Sequence, residues 1–262
     1  MKIGLIIPYK NAERWLARCL GSIGAQPFEV FLVNDHSEDS GPMTACEGAM
    51  SSDGWHLIEL DYLERGVAMA RNKGLEAALD DGCDFVTFLD SDDELTPDAF
   101  EKMEQAIAQE PDEAIIQFNH YAIDANGWKF PRLQNNKGTY TLGNLPKLWV
   151  SCVNKVFRAD LVRPLLFNEI LRHGEDEIFV LECLHKARRI YHSERFTMIY
   201  HRDNPKSLSK STKLQDLIGE QRALLDMSAF CYDDPEMLAA IRTRQAELWN
   251  NAVYKRIFGG AK

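Results

Sequence analysis

Hydrophobic and polar positions along the first 110 residues alternate between two rhythms. Ile3-Gly4-Leu5-Ile6-Ile7 is an unbroken apolar run, the pattern of a strand covered on both faces. Asn11 stands where a helix cap is expected, ahead of a stripe of Trp15, Cys19, Leu20 and Ile23 at helical spacing. Glu29-Val30-Phe31-Leu32-Val33 predicts a second buried strand, which runs into the polar Asn34-Asp35-His36-Ser37. Residues 42 to 50 have the pattern of a short helix, and Trp55 to Leu60 alternate like a third strand. Residues 67 to 80 predict a helix whose Ala68, Ala70, Gly74, Ala77 and Ala78 permit close packing on a sheet. Phe85-Val86-Thr87-Phe88-Leu89 reads as a fourth strand and ends directly in Asp90-Ser91-Asp92-Asp93. Thr96 is expected to cap a helix with Pro97 in its first turn, running to about Gln109.

Strands alternating with helices predict an α/β fold with a doubly wound, mostly parallel sheet flanked by helices. In such sheets ligands bind outside the carboxyl ends of the strands. Pro8, Tyr9, Asp35 and Asp90 to Asp93 all fall there. Beyond residue 110 the signal weakens. Ala114 to Tyr121 reads as a strand, Asn126-Gly127 as a turn, and residues 131 to 147 as a loop. Residues 176 to 187 are helical in pattern, and 213 to 258 predict two or three helices. The expected organisation is a catalytic domain over 1–210, with a ligand-binding half (1–110) and a second half (111–210). A C-terminal helical extension covers 211–262.

Composition narrows the function. The 262 residues are 45% hydrophobic and 27% charged, as in a globular chain, and the formal net charge is −10. An acidic chain without clustered Lys and Arg is a poor partner for nucleic acid. A diphosphate ligand would need a divalent cation or locally placed basic groups. The six cysteines are scattered, with no C-x-x-C and no Cys/His ligand spacing, so reduced and mostly buried thiols are expected. The N-terminal apolar run is too short for a signal peptide and no run approaches a membrane span, which makes a cytoplasmic enzyme the default.

Three carboxylates within four residues, at the end of a buried strand, repel one another unless a cation neutralises them. Their oxygen donors suit Mg²⁺ or Mn²⁺. A solvated, Asp-rich turn leading into the next helix is the alternative.

Four segments in order carry a resemblance. They are Ile6-Ile7-Pro8-Tyr9-Lys10-Asn11, Val33-Asn34-Asp35-His36-Ser37, Ala70-Arg71-Asn72-Lys73-Gly74 and Phe88-Leu89-Asp90-Ser91-Asp92-Asp93. Together they resemble the GT-A-fold family 2 glycosyltransferases over about the first 100 residues, the acidic cluster matching that family's D-x-D motif. The resemblance implies a GT-A-type sheet and a nucleotide-diphosphate sugar as donor, with UDP-sugars favoured. It places Pro8, Tyr9 and Asp35 in the nucleoside pocket and Arg71 near the nucleotide. Asp90, with Ser91, would lie on the ribose and sugar side. Asp92 would bind the metal, and Asp93 would support the metal or hold the loop. Asn34 stands where relatives often carry a first acid, which bears on nucleotide preference.

Arg172-His173-Gly174-Glu175-Asp176-Glu177 precedes a helical stretch and matches the family's E-D pair. The resemblance makes Asp176 the catalytic base and Glu175 the next candidate; a capping acid is the bland reading. Tyr200-His201-Arg202 to Ser209 resembles a segment in which Arg202 and Lys206 would meet the diphosphate. His201 is a candidate metal ligand or a structural histidine. Asn154-Lys155-Val156-Phe157 also matches a family segment, with Lys155 a candidate acceptor-side contact.

The expectation is an inverting, metal-dependent glycosyltransferase acting on a hydroxyl of a glycan or lipid-linked acceptor in cell-envelope polysaccharide synthesis. A nucleotidyltransferase or a non-catalytic, degenerate transferase module are the alternatives. The stretch Leu248 to Phe258 is a candidate for peripheral membrane contact or for packing on the catalytic domain or a second copy in a homodimer.

Overall fold

The computed structural model describes residues 1–38, 54–124, 126–133, 135–144, 151–202 and 214–258, with the side chains of 214–217 and 249–258 left aside. Its first strand, β1 (Ile3–Tyr9), is buried at all seven positions, as the unbroken apolar run requires. It lies between β2 (Glu29–Asn34) and β4 (Phe85–Phe88), parallel to both, and β3 (Trp55–Glu59) extends this half parallel to β2. The registers pair Tyr9 with Asn34 and Ile6 with Phe88. Consequently Tyr9, Asp35 and Asp90 leave the sheet along one edge. β3 is the outer strand and is only partly covered, which is why its pattern alternates.

Among the described residues two helices cover this half. In α1 (Glu13–Ile23) the buried stripe is Leu16, Cys19, Leu20 and Ile23; Trp15, expected in that stripe, is half-buried beside it. Asn11 does not cap α1, which starts from Ala12 without a side-chain cap. Asn11 instead adopts φ 48°, and its Oδ1 accepts the Glu38 N–H at 2.7 Å, tying the loop after β1 to the loop after β2. In α2 (Val67–Asp80) the small residues do what their spacing suggests. A Cβ at Gly74 would come within 2.5 Å of Ile6 Cγ2 and 3.2 Å of Val33 Cγ2, so the helix rests directly on β1 and β2. The expected helix at 42 to 50 lies outside the described residues.

The second half changes direction. After β5 (Glu94–Leu95) and α3 (Ala99–Gln109) come β6 (Ile115–Ile123), β7 (Lys129–Arg132), β8 (Gly138–Tyr140) and β9 (Lys155–Arg158). They are followed by α4 (Ala159–Val162), α5 (Glu175–Ala187) and the long β10 (Ile190–His201). The sheet order is β3-β2-β1-β4-β9-β6-β10-β5, with β7 on β6 and β8 on β10. β9 is antiparallel to both neighbours, β4 and β6, while β6 and β10 are parallel. The sheet is therefore parallel in its first half and mixed in its second.

Two local expectations change here and a third holds. Thr96 does not cap α3, which begins at Ala99; its hydroxyl donates to the Phe196 carbonyl at 3.1 Å and holds β10. The 131–147 stretch contains strand residues in β7 and β8 as well as turns. The Asn126-Gly127 turn is present, with Gly127 at φ 83° between β6 and β7.

Beyond the sheet, α6 (Leu214–Phe230) and α7 (Pro235–Phe258) form a helical pair. They build a separate small core with α5, in which Ile178 and Leu181 meet Leu224, Met227, Cys231, Met237, Ile241 and Leu248. Among the described residues no helix is long and apolar enough to cross a membrane. The five described cysteines are buried thiols.

Candidate active site

The site forms where β1, β2, β4 and β10 end. The chain leaves β4 in a tight turn, closed by the Asp93 N–H donating to the Asp90 carbonyl at 3.0 Å. That turn gathers the carboxyl oxygens of Asp90, Asp92 and Asp93 within 4.8 Å of one another. Asp93 is fully buried. One of its oxygens accepts the His201 N–H at 2.8 Å, and the other, Oδ2, is buried without a hydrogen-bond partner. Burial, reinforced by Asp90 and Asp92, pushes the Asp93 carboxyl well above the usual carboxylate range. An orphaned carboxylate oxygen inside a three-carboxylate cluster fits a hard divalent cation such as Mg²⁺ or Mn²⁺.

Other groups brace that turn. Arg18 on α1 donates to the Asp92 carbonyl at 2.6 Å and lies 3.6 Å from Glu94. The imidazole of His201 reaches Glu94 at 2.5 Å. His201 therefore meets the cluster through its backbone, while its ring is engaged one residue further on. Nothing in the local sequence marks Arg18; only the packing of α1 beneath β5 brings it to this turn.

Pro8 and Tyr9 are buried at the end of β1. Asp35 is 6% exposed, its N–H bonded to the Tyr9 carbonyl at 2.9 Å. Lys10 reaches Asp35 Oδ2 at 3.3 Å, and Asp35 Oδ1 is buried without a partner. Asn34 does not share this role. Its amide donates to Glu59 on β3 at 2.8 Å and its carbonyl accepts the Ser37 N–H at 3.0 Å, which fixes the loop that presents Asp35.

Arg71 joins this half to the second. Its guanidinium contacts Glu175 Oε1 at 2.7 Å and Asp90 Oδ1 at 2.9 Å, and lies 5.5 Å over the Phe167 ring. Burial opposes the charge, but Cys152, Asp90, Glu175 and Asp176 outweigh it and hold the guanidinium protonated. The next residue serves the same junction: the Asn72 side chain exchanges hydrogen bonds with the Phe167 backbone at 3.0 and 2.8 Å. Phe167 stacks on Phe179 of α5 with centroids 4.0 Å apart, and Phe88 at the end of β4 packs edge-on to both. This aromatic cluster sets the position of α5 relative to the acidic turn.

The acid pair opens α5. Gly174 precedes it at φ 80°, a left-handed conformation that suits glycine. Glu175 is 5% exposed and its carboxyl is raised by burial, which the Arg71 charge opposes. Asp176 is half-buried and accepts the Glu177 N–H at 2.9 Å. Glu175 is thus committed to Arg71, whereas Asp176 is only half-buried. Ser91 is half-buried and Arg202 exposed beyond β10, its N–H bonded to the Ile123 carbonyl at 3.1 Å. Lys206 lies outside the described residues.

Lys155 departs from expectation. It is wholly buried at the start of β9, its ammonium donating to the Ser151 carbonyl at 2.7 Å, so it supports the floor and offers no acceptor-side contact. Burial pushes its pKa down to about 7, against the pull of Cys152 and Asp176.

Comparison with known proteins agrees with this geometry. The profile of "Glycosyl transferase family 2" matches residues 5–164. A Bacillus subtilis protein named as glycosyltransferase EpsH is 33% identical over 76% of this chain and 60% of its own length. The poly(ribitol-phosphate) β-N-acetylglucosaminyltransferase TarS of Staphylococcus aureus is 25% identical over 72% of this chain, which spans only 34% of TarS. Among solved structures, TarS 1–349 in complex with UDP-GlcNAc superposes with a TM-score of 0.75 at 21% identity, covering 87% of this chain and 67% of that one. The same fragment with UDP gives 0.72 at 20% identity, covering 97% and 71%. At that identity the superposition establishes the fold, a GT-A sheet with helices beyond it, and the profile match establishes the lineage: the chain belongs to glycosyl transferase family 2.

Proposed function

We propose that this glycosyltransferase moves a sugar from a nucleoside diphosphate donor, with UDP-sugars favoured, to a hydroxyl of a glycan or lipid-linked acceptor, with inversion. The observation that carries the reading is the Arg71 bridge. One buried guanidinium contacts both Asp90 and Glu175 and so joins the acidic turn to the acid pair. The UDP-GlcNAc and UDP complexes of TarS favour a uridine nucleotide.

In this reading Asp35 offers its unpartnered Oδ1 to an N–H of the base, beside Pro8 and Tyr9. Asp90 and Ser91 lie towards the ribose and sugar, and Asp92 and Asp93 supply the cation ligands. A divalent ion bound there supplies charge that stabilises the departing diphosphate. Arg202 adds positive charge towards the diphosphate, a role the family resemblance also gives Lys206, and His201 holds the turn through Asp93. Asp176 takes the proton of the acceptor hydroxyl as that oxygen attacks the anomeric carbon and the bond to the diphosphate breaks. Attack from the face opposite the leaving group inverts the centre.

The test is Asp176→Asn. The account expects transfer to fall by roughly 10²- to 10⁴-fold, the usual contribution of a positioned base, with Mn²⁺-dependent UDP affinity retained. Full transfer by that variant removes Asp176 from the chemistry. A degenerate module would show neither transfer nor metal-dependent affinity in the unaltered chain.

A further inference from the structure

The C-terminal helices touch the acid pair's own turn. Glu220 on α6 is fully buried, and a Cβ on Gly174 would come within 2.6 Å of its Cγ, so this side chain lies directly against the turn that starts α5. Glu220 Oε2 meets His173 Nδ1 at 3.1 Å. Arg244 on α7 donates to Glu177 Oε1 at 2.5 Å and to Glu247 at 2.9 Å, and lies 3.9 Å from Glu220 Oε1. Residues 173, 174 and 177, which bracket Glu175 and Asp176, are thus each held from the helical pair. The far end of α5 is held as well: Asp234, between α6 and α7, accepts from His185 at 3.0 Å and from the Arg188 guanidinium.

Two buried glutamates, Glu177 and Glu220, lie beside Arg244. With both ionised, Glu220 Oε1 would be a buried oxygen without a hydrogen-bond partner. Burial raises the Glu177 carboxyl to about 8, a shift that Arg244 opposes. Burial opposes ionisation of Glu220, but His173 and Arg244 outweigh it and hold its carboxyl below the ordinary range. The other charged groups facing this cluster are Glu247 on α7, Glu175 and Asp176 at the turn, and Arg71 beyond Glu175.

We infer that Glu220 and Arg244 are positioning residues for the acid pair, holding the His173–Glu177 turn in the geometry that aims Asp176 at the acceptor. The helical extension would then be part of the catalytic apparatus rather than an appendage. This rests on Asp176 as the base, and a packing role for the same groups would leave turnover untouched once the chain is folded.

Two measurements on the full chain decide it. Amide hydrogen exchange in Glu220→Gln and Arg244→Met is expected to accelerate about tenfold over residues 172 to 178, with residues 4 to 9 and 85 to 93 unchanged. UDP release from UDP-GlcNAc with Mn²⁺ is expected to lose about 10²-fold in kcat, the scale of a small misplacement of a reacting group, with KM little changed. Arg244→Lys, which keeps the charge, should recover part of both. Exchange that is unchanged, or that rises evenly across the sheet, overturns the proposal whatever the donor; so does normal kcat alongside a loosened turn. Unimpaired turnover in Asp176→Asn would instead defeat the base assignment, and the exchange result would still judge the clamp.

Discussion

At the scale of single residues, the site depends on charges that are costly to bury unless paired. Arg71 sits at 4% exposure between two acids, so removing it leaves Glu175 as an uncompensated buried carboxylate. Arg71→Met is expected to cost about 3–5 kcal/mol, measured by denaturant unfolding. Arg71→Met with Glu175→Gln should recover a good part of that, because the neutral amide no longer needs the cation. Additive losses would mean that the two residues are not coupled. The sequence marked these residues because A-R-N and E-D are local patterns. It did not mark Arg18, Glu94 or Glu220, whose neighbours come from distant segments and whose spacing carries no pattern. The match of its segment to a family motif makes Lys155 a candidate acceptor-side contact; only the position of β9 between β4 and β6 shows why this lysine is enclosed.

At the scale of elements, legibility follows burial. β1, β2 and β4 are covered on both faces, so their runs are continuous and their boundaries are plain in the sequence. β10 mixes His192, Ser193, Glu194 and Arg195 among its apolar residues and has a register shift against β6, so its pattern gave no strand. β9 is four residues and reads as part of a motif rather than as structure. For α2 the small residues at the sheet are the decisive feature. Gly74→Ala should destabilise by about 1–3 kcal/mol by overpacking against Ile6, lowering the thermal midpoint with little change in exposed surface. A neutral effect would mean that α2 stands off the sheet. For α5 the sign of the pH dependence is fixed by Glu177. Its folded pKa is about 8 against an ordinary 4.5, so the folded state holds a proton that the unfolded state has released. That contribution is complete below the ordinary value and is lost as pH rises from there through about 8. His173, raised chiefly by Glu220, acts in the same direction. Urea midpoints should therefore fall across that window, and Glu177→Gln should flatten the fall. An unaltered profile in that variant would mean that Glu177 is ionised in the folded chain.

At the scale of the molecule, the change in strand direction explains the site. A parallel half delivers Tyr9, Asp35 and Asp90 to one edge, and β10, parallel to β6, brings His201 back to that same edge beside Asp93. The antiparallel β9 begins at that edge too, with Cys152, Asn154 and Lys155 buried there. The parallel half could be read from alternating patterns; the mixed half could not, because its strands are short or interrupted and their order depends on long-range pairing. The central proposal concerns the acidic turn, where Asp92 and Asp93 would hold a divalent cation for the donor's diphosphate. Calorimetric titration of UDP into the chain, with and without Mn²⁺, tests it most directly. The account predicts affinity at least about tenfold tighter with Mn²⁺, a coupling of roughly 1.4 kcal/mol, abolished in Asp92→Ala. Equal UDP affinity with and without the metal would contradict it.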